Sequence, residues 1–219
     1  PHSGHELPAE FLRQSALNES QLCASEDSYV DELFSGCIEA GAPLMRALFS
    51  RSFLDLNREP YELDARMFSG KLPAYANVGS PRVASGLGTI PRTVGDGLLI
   101  YDGPIQLEDA LTRIETFYRP YHRTIGNLLD QAHAATGFAL LVDCHSMPSS
   151  AVAHMKGAAG PTPDIVLGDR FGSACSADLT ELIECHLSAA GLRVLRNKPY
   201  SGGFFTENHG RPRQNRHAI

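Results

Sequence analysis

An apolar run in the middle of the chain, from Phe138 to Val142, ends abruptly in the polar residues Asp143, Cys144, His145 and Ser146. A short apolar run of this kind predicts a strand that is buried on both faces of a sheet. Ligands of open α/β sheets bind at the carboxyl ends of the strands, where this polar cluster would lie. Asp143 and His145 are therefore candidates for chemistry. The alternative is that they only hydrogen-bond to each other at the strand end.

Strands and helices are predicted to alternate along the chain, which favours a mainly parallel sheet with helices on both faces. Apolar residues recur at helical spacing in 107–118 and 121–135, and 178–190 is a further amphipathic segment. We also expect a helix at 29–40 and strands at 44–48, 53–56, 165–167, 192–195 and 203–205. The predicted fold class is therefore α/β, as a single domain over residues 1–219 with a mixed, mainly parallel sheet.

Composition argues against several classes of function. The 219 residues carry a net charge of −6, which gives no basic footprint for nucleic acid, and no apolar stretch approaches the ~20 residues of a membrane helix. The five cysteines include no CxxC pair, which is typical of free thiols and predicts a cytoplasmic protein. Because the sequence opens without Met and closes as if entering a strand, we expect the native chain to extend at both ends. No pattern indicates an oligomeric state.

Histidines and acids at distant positions are candidates for a metal site. His2 lies near the start of the sequence, His145 follows the predicted strand, and Asp27 is one of several acids around the start of a predicted helix. Two histidines and a carboxylate are a set of protein ligands that leaves one zinc position open for water. A terminal histidine is often merely solvated, however, and acids near a helix N-terminus stabilise its dipole. His5 and Glu6 are alternative ligands.

A guanidinium group follows the predicted strand at 53–56. Arg58 stands beside Asn57, and a guanidinium fork at a strand end suits bidentate capture of a carboxylate. Arg51 and Asp55 are spaced to form a structural ion pair. We predict both features, with Arg58 binding the ligand, Arg51 assisting, and Asp55 supporting the arginines.

Glu207 follows the short apolar segment 203–205 and stands close to His209. A carboxylate beside a metal-bound water is the usual general base in metal-assisted hydrolysis, although a glutamate in a surface loop is common without such a role. A Ser–His nucleophile, with Ser146 or Ser3, is the alternative chemistry, but the chain has no G-x-S-x-G elbow.

With these residues identified, the chain resembles the N-formylglutamate amidohydrolase family, in family order along nearly the whole sequence. The matching strings are PHSG, SEDSYVDELF, SRSFLDLNREP, RPYHRTI, DCHSM, PDIVLGD, GSAC and GGFFTENHG. No single string is decisive, but the ordered set is specific. The family is similar to the zinc carboxypeptidases and aspartoacylases, so the resemblance implies a zinc-carboxypeptidase-like α/β fold.

The resemblance implies one zinc ion and a small acidic N-acyl amino acid as substrate. The implied reaction converts N-formyl-L-glutamate to L-glutamate and formate, in histidine degradation. By position, His2 and His145 match the metal histidines of the family. Asn57 and Arg58 match the pair that binds the substrate carboxylate in the related enzymes, with Arg51 assisting.

Three positions depart from the implied pattern. The carboxypeptidase relatives place a glutamate three residues after the first histidine, where this chain has His5, so we assign the acidic ligand to Asp27, with Glu6 as the alternative. Family members typically carry Arg-His-Tyr where this chain has Glu207 and the two residues after it. They also continue past Ile219 into a Gln-x-Glu strand, so the general base is either Glu207 or a residue beyond Ile219.

Two other functions stay open on this evidence. The departure at Glu207 allows a deacylase for a different N-acyl amino acid. The absent terminal strand allows a non-catalytic module that binds carboxylates.

Overall fold

The computed structural model of the protein describes residues 2–95, 97–153 and 162–219. The chain divides into two compact parts, Pro1–Arg123 and Thr124–Ile219. None of the helices in the described ranges combines the length and the apolar character needed to cross a membrane.

Short elements make up both parts of the chain. The α-helices in the described ranges are α1 (Ala9–Gln14), α2 (Glu19–Leu22), α3 (Val30–Leu33), α4 (Pro81–Ala84), α5 (Leu107–Arg113), α6 (Arg119–Thr136), α7 (Ser150–Ala153), α8 (Ala177–Ala189) and α9 (Phe204–His209). The strands are β1 (Thr93–Val94), β2 (Leu98–Leu99), β3 (Ala139–Leu141), β4 (Ile165–Leu167), β5 (Val194–Arg196) and β6 (Arg216–Ala218). Tighter 3₁₀ turns lie at Cys23–Ser25, Ser35–Cys37, Ala65–Met67 and Pro212–Gln214, and a π-helical turn lies at Ile114–Tyr118.

Aromatic rings form a cluster in the first part. Phe53 meets Phe11 and Phe117 edge to face, each at a centroid distance of 5.5 Å, and Phe49 meets Phe117 at 5.4 Å. Edge-to-face pairs of this kind add to the stabilisation from buried area. The guanidinium of Arg113 lies 4.6 Å from the Phe53 ring centroid and covers it. The cluster therefore anchors the chain on both sides of Arg51, at Phe49 and Phe53.

Two strands predicted in the first part are wrong. Residues 53–56 are buried, but they form no ladder, and the Asp55 N–H donates to the Thr89 carbonyl at 2.9 Å within a loop. At 44–48 the pairing is limited to one isolated parallel bridge between Glu6 and the next residue, Phe49. An apolar run indicates that a segment is buried, but it does not determine where its backbone hydrogen bonds go. In these two segments the backbone hydrogen bonds go to loops and not to a sheet.

The helix predicted at 29–40 is also wrong in its extent. The segment forms α3 and then the separate 3₁₀ turn at Ser35–Cys37. Most of its apolar stripe is exposed within the described chain, since Leu33 is 77% and Ile38 is 59% exposed, and Val30 is the buried member. Short helices depend on packing of an apolar face, so this segment has little to sustain a continuous helix.

The helical region predicted at 107–135 is confirmed. Helix α5, the π-turn and α6 follow one another without a break from 107 to 136. Pro120 is the second residue of α6, where its missing N–H and its ring are tolerated beside the wider π-turn.

Parallel strand pairs carry the second part. Strand β3 pairs with β6, and β4 pairs with β5, both in parallel, whereas β1 and β2 of the first part are antiparallel. Helix α8 packs its apolar face, including Ile183 and Leu187, against a buried core of Leu167, Cys175 and Ile219. The predicted elements at 138–142, 165–167, 178–190 and 192–195 are present as β3, β4, α8 and β5. The α/β class with parallel pairing is confirmed.

The strand predicted at 203–205 is wrong, because this segment begins α9. Gly202 precedes it with φ +121°, and a Cβ there would lie 2.4 Å from Thr206 Oγ1. The glycine therefore permits a tight entry into the helix that another residue would block. Three apolar residues are too few to distinguish a strand from a buried helix face.

Candidate active site

His2 lies between two buried aspartates of the first part. Its side chain is only 1% exposed, with Nε2 3.0 Å from Asp55 Oδ1 and Nδ1 3.6 Å from Asp27 Oδ2. Burial, and then the positive charge of Arg51, lower the pKa of His2. The imidazole is therefore neutral near pH 7, which is the state that binds metal ions.

Local backbone contacts hold His2 beside Asp27. The Asp27 N–H donates to the His2 carbonyl at 3.0 Å. Gly4 lies so close to the neighbouring segment that a Cβ would be 2.5 Å from the Ala47 carbonyl oxygen, which explains the glycine in PHSG. Asp27 is buried beside the imidazole, whereas Glu6, the alternative ligand, is exposed.

The Asp55 carboxylate is the centre of a charged cluster. Its Oδ1 accepts from the Asn57 N–H at 2.9 Å as well as facing His2. Its Oδ2 lies 2.8 Å from Arg51 Nη2 and 3.2 Å from Arg58 Nη2. Burial alone would raise the pKa of this carboxyl, but the charges of Arg51 and Arg58 hold it well below its usual range. The predicted Arg51–Asp55 ion pair is present, and Arg58 shares it.

Arg58 is partly committed to its surroundings. Besides the Asp55 contact, its Nε donates to the Leu87 carbonyl and its Nη1 to the Asn57 carbonyl, each at 2.8 Å. A guanidinium has five N–H donors, so these contacts leave two for a ligand. The Asn57 side chain is buried next to it. The arrangement holds the guanidinium rigidly and still leaves capacity for a carboxylate.

Two side chains of the long helical region fasten the loop that carries Arg58. The Tyr118 hydroxyl donates to the Arg58 carbonyl at 2.6 Å, and His122 Nε2 contacts the Leu56 carbonyl at 2.9 Å. The two rings stack at 4.1 Å, as residues four apart on one helix face do. Tyr118 and His122 together therefore fix the backbone on both sides of Asn57.

In the second part, His145 lies just beyond the end of β3. The Asp143 N–H donates to the Ile219 carbonyl at 2.8 Å, which continues the β3–β6 pairing up to this residue. His145 Nε2 lies 3.0 Å from Asp143 Oδ2, and the histidine side chain is 30% exposed. The contact predicted between the two residues is present, at the carboxyl end of a parallel strand.

Glu207 is on α9 rather than in a loop after a strand. Its side chain is 56% exposed, and Oε2 lies 3.2 Å from Arg170 Nη2. Both residues line a cleft of about 610 Å³ in the second part, together with Thr206 and Arg211. The carboxylate therefore faces open space and is held by a cation.

Similarity to known proteins decides the family. The family model described as N-formylglutamate amidohydrolase matches residues 1–219. The chain belongs to the N-formylglutamate amidohydrolase family. The resemblance read from the sequence motifs is thereby confirmed.

Two curated proteins are similar over the whole chain. An N-formylglutamate deformylase from Pseudomonas aeruginosa is 30% identical over 223 residues, which cover 100% of this chain and 76% of the relative. A protein of the same name from Pseudomonas putida is 29% identical with the same coverage.

Solved structures show the same fold. The crystal structure of an N-formylglutamate amidohydrolase from Ralstonia eutropha JMP134 matches with a TM-score of 0.89 and 32% identity, covering 100% of this chain and 77% of that one. The protein Atu2144 from Agrobacterium tumefaciens matches with a TM-score of 0.57 and 21% identity, covering 91% of this chain and 67% of that one, and supports the fold alone.

The sequence analysis missed the contributions of three residues to the candidate active site, namely Asp55, Tyr118 and His122. It treated Asp55 only as a support for arginine and did not anticipate its contact with His2. It also gave no role to Tyr118 and His122. The four-residue spacing of these two rings on a predicted helix was a visible signal. The Asp55 contact joins distant segments and has no local signal.

Proposed function

We propose that the protein is a zinc-dependent amidohydrolase that converts N-formyl-L-glutamate and water to L-glutamate and formate. The observation that carries the proposal is the buried, neutral His2 held between the carboxylates of Asp27 and Asp55. Burying an imidazole costs free energy unless polar partners compensate it, and a carboxylate partner is typical of a histidine that binds a metal ion. The proposed substrate is taken from the name of the two relatives, N-formylglutamate deformylase.

The proposed metal ligands are His2, Asp27 and His145. They offer two imidazoles and a carboxylate, a donor set that can hold a metal ion. This set suits zinc in a catalytic site, where three protein ligands leave a position for water. When bound, zinc would lower the pKa of its water to about 7 and polarise the formyl carbonyl. The burial of Asp27 beside His2 favours it over Glu6 as the acidic ligand.

The proposed substrate anchor is Arg58, with Asn57 and Arg51. A guanidinium that keeps two N–H donors can bind a carboxylate in bidentate fashion. Because its other donors are held by carbonyls and by Asp55, Arg58 would not need to reorganise when substrate binds. The anchor would therefore orient the amino acid part of the substrate.

Glu207 is the proposed general base within the described chain. Its exposed carboxylate would accept a proton from the attacking water and pass it to the leaving amine nitrogen as the C–N bond breaks. Arg170, 3.2 Å away, would orient the carboxylate. A glutamate beyond Ile219 is the alternative base. The family resemblance motivates a place in histidine degradation, and the free cysteines motivate a cytoplasmic location.

Metal content and turnover test the proposal together. The purified protein should contain about one equivalent of zinc, and removal by a chelator should abolish N-formylglutamate hydrolysis until zinc is restored. A protein that turns over N-formylglutamate unchanged without metal would contradict the metal centre.

A substrate panel separates the remaining functions. Formyl, acetyl and succinyl derivatives of glutamate, aspartate and alanine should show a clear preference for N-formylglutamate. A preference for another acyl group would mean a different deacylase. Binding of these compounds without turnover by the metal-loaded protein would mean a carboxylate-binding module.

A further inference from the structure

Asp55 joins two sets of residues to which the proposed function gives separate tasks. Its carboxylate is nearly inaccessible, with 3% of the residue exposed. One oxygen faces His2 Nε2 at 3.0 Å, and the other faces Arg51 at 2.8 Å and Arg58 at 3.2 Å. A single buried carboxylate thus contacts a proposed metal ligand and both proposed substrate arginines.

The contact with His2 determines which imidazole nitrogen is available. An ionised carboxylate accepts hydrogen bonds only, so the 3.0 Å approach of Asp55 Oδ1 favours the tautomer with the proton on Nε2. In the neutral ring this leaves the lone pair on Nδ1, which faces Asp27 at 3.6 Å. Metal-binding histidines are commonly fixed in tautomer and orientation by such a carboxylate.

The contact with the arginines makes their positions depend on the same group. Arg51 and Arg58 reach the same oxygen, and the full negative charge between them offsets the repulsion of the two cations. The amide of an asparagine would remove that charge and offer only one acceptor.

We propose that Asp55 is a positioning residue that presents Nδ1 of His2 to the metal and sets Arg51 and Arg58 for the substrate carboxylate. The proposal rests on the proposed function. Asp55 touches neither metal nor substrate in this role and acts through the three residues that it contacts.

A purely structural role for Asp55 is the alternative, and Asp64 provides a matched control. Asp64 is also 3% exposed in the first part. Its carboxylate is 2.7 Å from Arg66 and 2.8 Å from Arg92, so it too is a buried acid between two arginines. Among the described residues, its contacts include none of the proposed ligands or anchors.

The test compares Asp55→Asn, Asp55→Glu and Asp64→Asn with the wild type. Zinc affinity is measured by competition with a chromophoric chelator, KM and kcat with N-formylglutamate, and folding by thermal unfolding. Asp55→Asn should weaken zinc binding about 10–100-fold. It should also raise KM and lower kcat/KM by up to about 100-fold. Asp55→Glu should recover part of both losses, and Asp64→Asn should lower thermal stability with zinc affinity and KM near wild type.

A second measurement reads the tautomer of His2 directly in the wild type. The ¹⁵N chemical shifts of His2 in the zinc-free protein, assigned with a His2→Gln variant, should show the Nε2–H tautomer. An Nδ1–H tautomer would overturn the proposal. So would a folded Asp55→Asn protein with wild-type zinc affinity and KM, or equal losses in Asp64→Asn.

These results separate the proposal from the function on which it rests. If the wild-type protein binds zinc and hydrolyses N-formylglutamate and Asp55→Asn behaves in the same way, only the proposed role of Asp55 is wrong. If the wild-type protein binds no zinc, the proposed zinc-dependent function and the proposed role of Asp55 are both wrong.

Discussion

His145 Nε2 lies 3.0 Å from Asp143 Oδ2, and His2 Nε2 lies 3.0 Å from Asp55 Oδ1. Both imidazoles therefore face an aspartate through the same ring nitrogen, Nε2. In each pair a well-buried aspartate of the same compact part approaches Nε2. A neutral histidine held in this way keeps its lone pair on Nδ1. Both proposed zinc histidines are therefore expected to bind through Nδ1, each with its own carboxylate behind it.

Removal of the Arg58 side chain should impair substrate binding more than folding. Loss of a charged partner for a buried or bound carboxylate costs about 2–5 kcal/mol, so Arg58→Ala should lower kcat/KM for N-formylglutamate at least about 30-fold, mainly through KM. Arg66→Ala, which removes an exposed guanidinium from the Asp64 pair, is the control and should leave KM unchanged. Equal kinetics of wild type and Arg58→Ala would rule out the anchor.

The hydroxyl of Tyr118 should matter for both stability and activity. Tyr118→Phe removes the 2.6 Å hydrogen bond to the Arg58 carbonyl and should cost about 0.5–1.5 kcal/mol in the free energy of unfolding. Because that bond fixes the loop bearing the substrate anchor, kcat/KM should fall as well. Tyr121→Phe removes a longer, 3.4 Å contact to the Met45 carbonyl and serves as the control. Identical kcat/KM in both variants would exclude a role in positioning Arg58.

Glu207 should act on the rate rather than on metal content. Glu207→Gln keeps the shape of the side chain but removes its basicity, so kcat should fall about 10²–10⁴-fold with zinc content unchanged. Glu184→Gln is the control. Glu184 lies on α8 and pairs with Arg196, so it is also a glutamate beside an arginine, and this variant should retain wild-type kcat. A wild-type kcat in Glu207→Gln would show that Glu207 is not the general base, and the role would then be assigned to a residue beyond Ile219.

His209 should make the protein less stable as the pH falls. Burial, aided by the charges of Arg216 and Arg211, lowers the pKa of His209 from 6.5 to about 4. Between these values the unfolded chain binds a proton that the folded chain refuses, so the free energy of unfolding decreases with falling pH. The loss from this residue should be about 2 kcal/mol between pH 7 and pH 5.

Urea unfolding of wild type and His209→Gln at several pH values isolates this contribution. The difference in unfolding free energy between the two proteins should shift against the wild type as the pH falls from 7 to 5, since the other titrating groups cancel. A difference that is independent of pH would show that His209 keeps an ordinary pKa in the folded protein.

The predictable parts of the fold are those with strong local patterns. The segment 165–167 is a short apolar run between turn residues, and 178–190 has an apolar face with an acid in its first turn, so β4 and α8 follow from the sequence. The run 53–56 misled because its backbone bonds to a distant loop at Thr89, which no local pattern announces. The prediction of one domain over 1–219 stays a prediction.

The candidate site was predictable residue by residue but not as a set of contacts. His145 after a buried strand and Arg58 beside Asn57 are chemically conspicuous, so the sequence alone selects them. The contact between His2 and Asp55 depends on how the loop after Phe53 folds, and neighbouring residues do not determine that. The metal ligands and the general base therefore stay predictions that experiments on the protein must test.

A crystal of the zinc-loaded protein, measured on both sides of the zinc absorption edge, tests the central proposal most directly. The account predicts one anomalous peak bonded at about 2.0–2.2 Å to Nδ1 of His2, Nδ1 of His145 and a carboxylate oxygen of Asp27. The absence of a peak at these residues, or a peak held by other side chains, would contradict it.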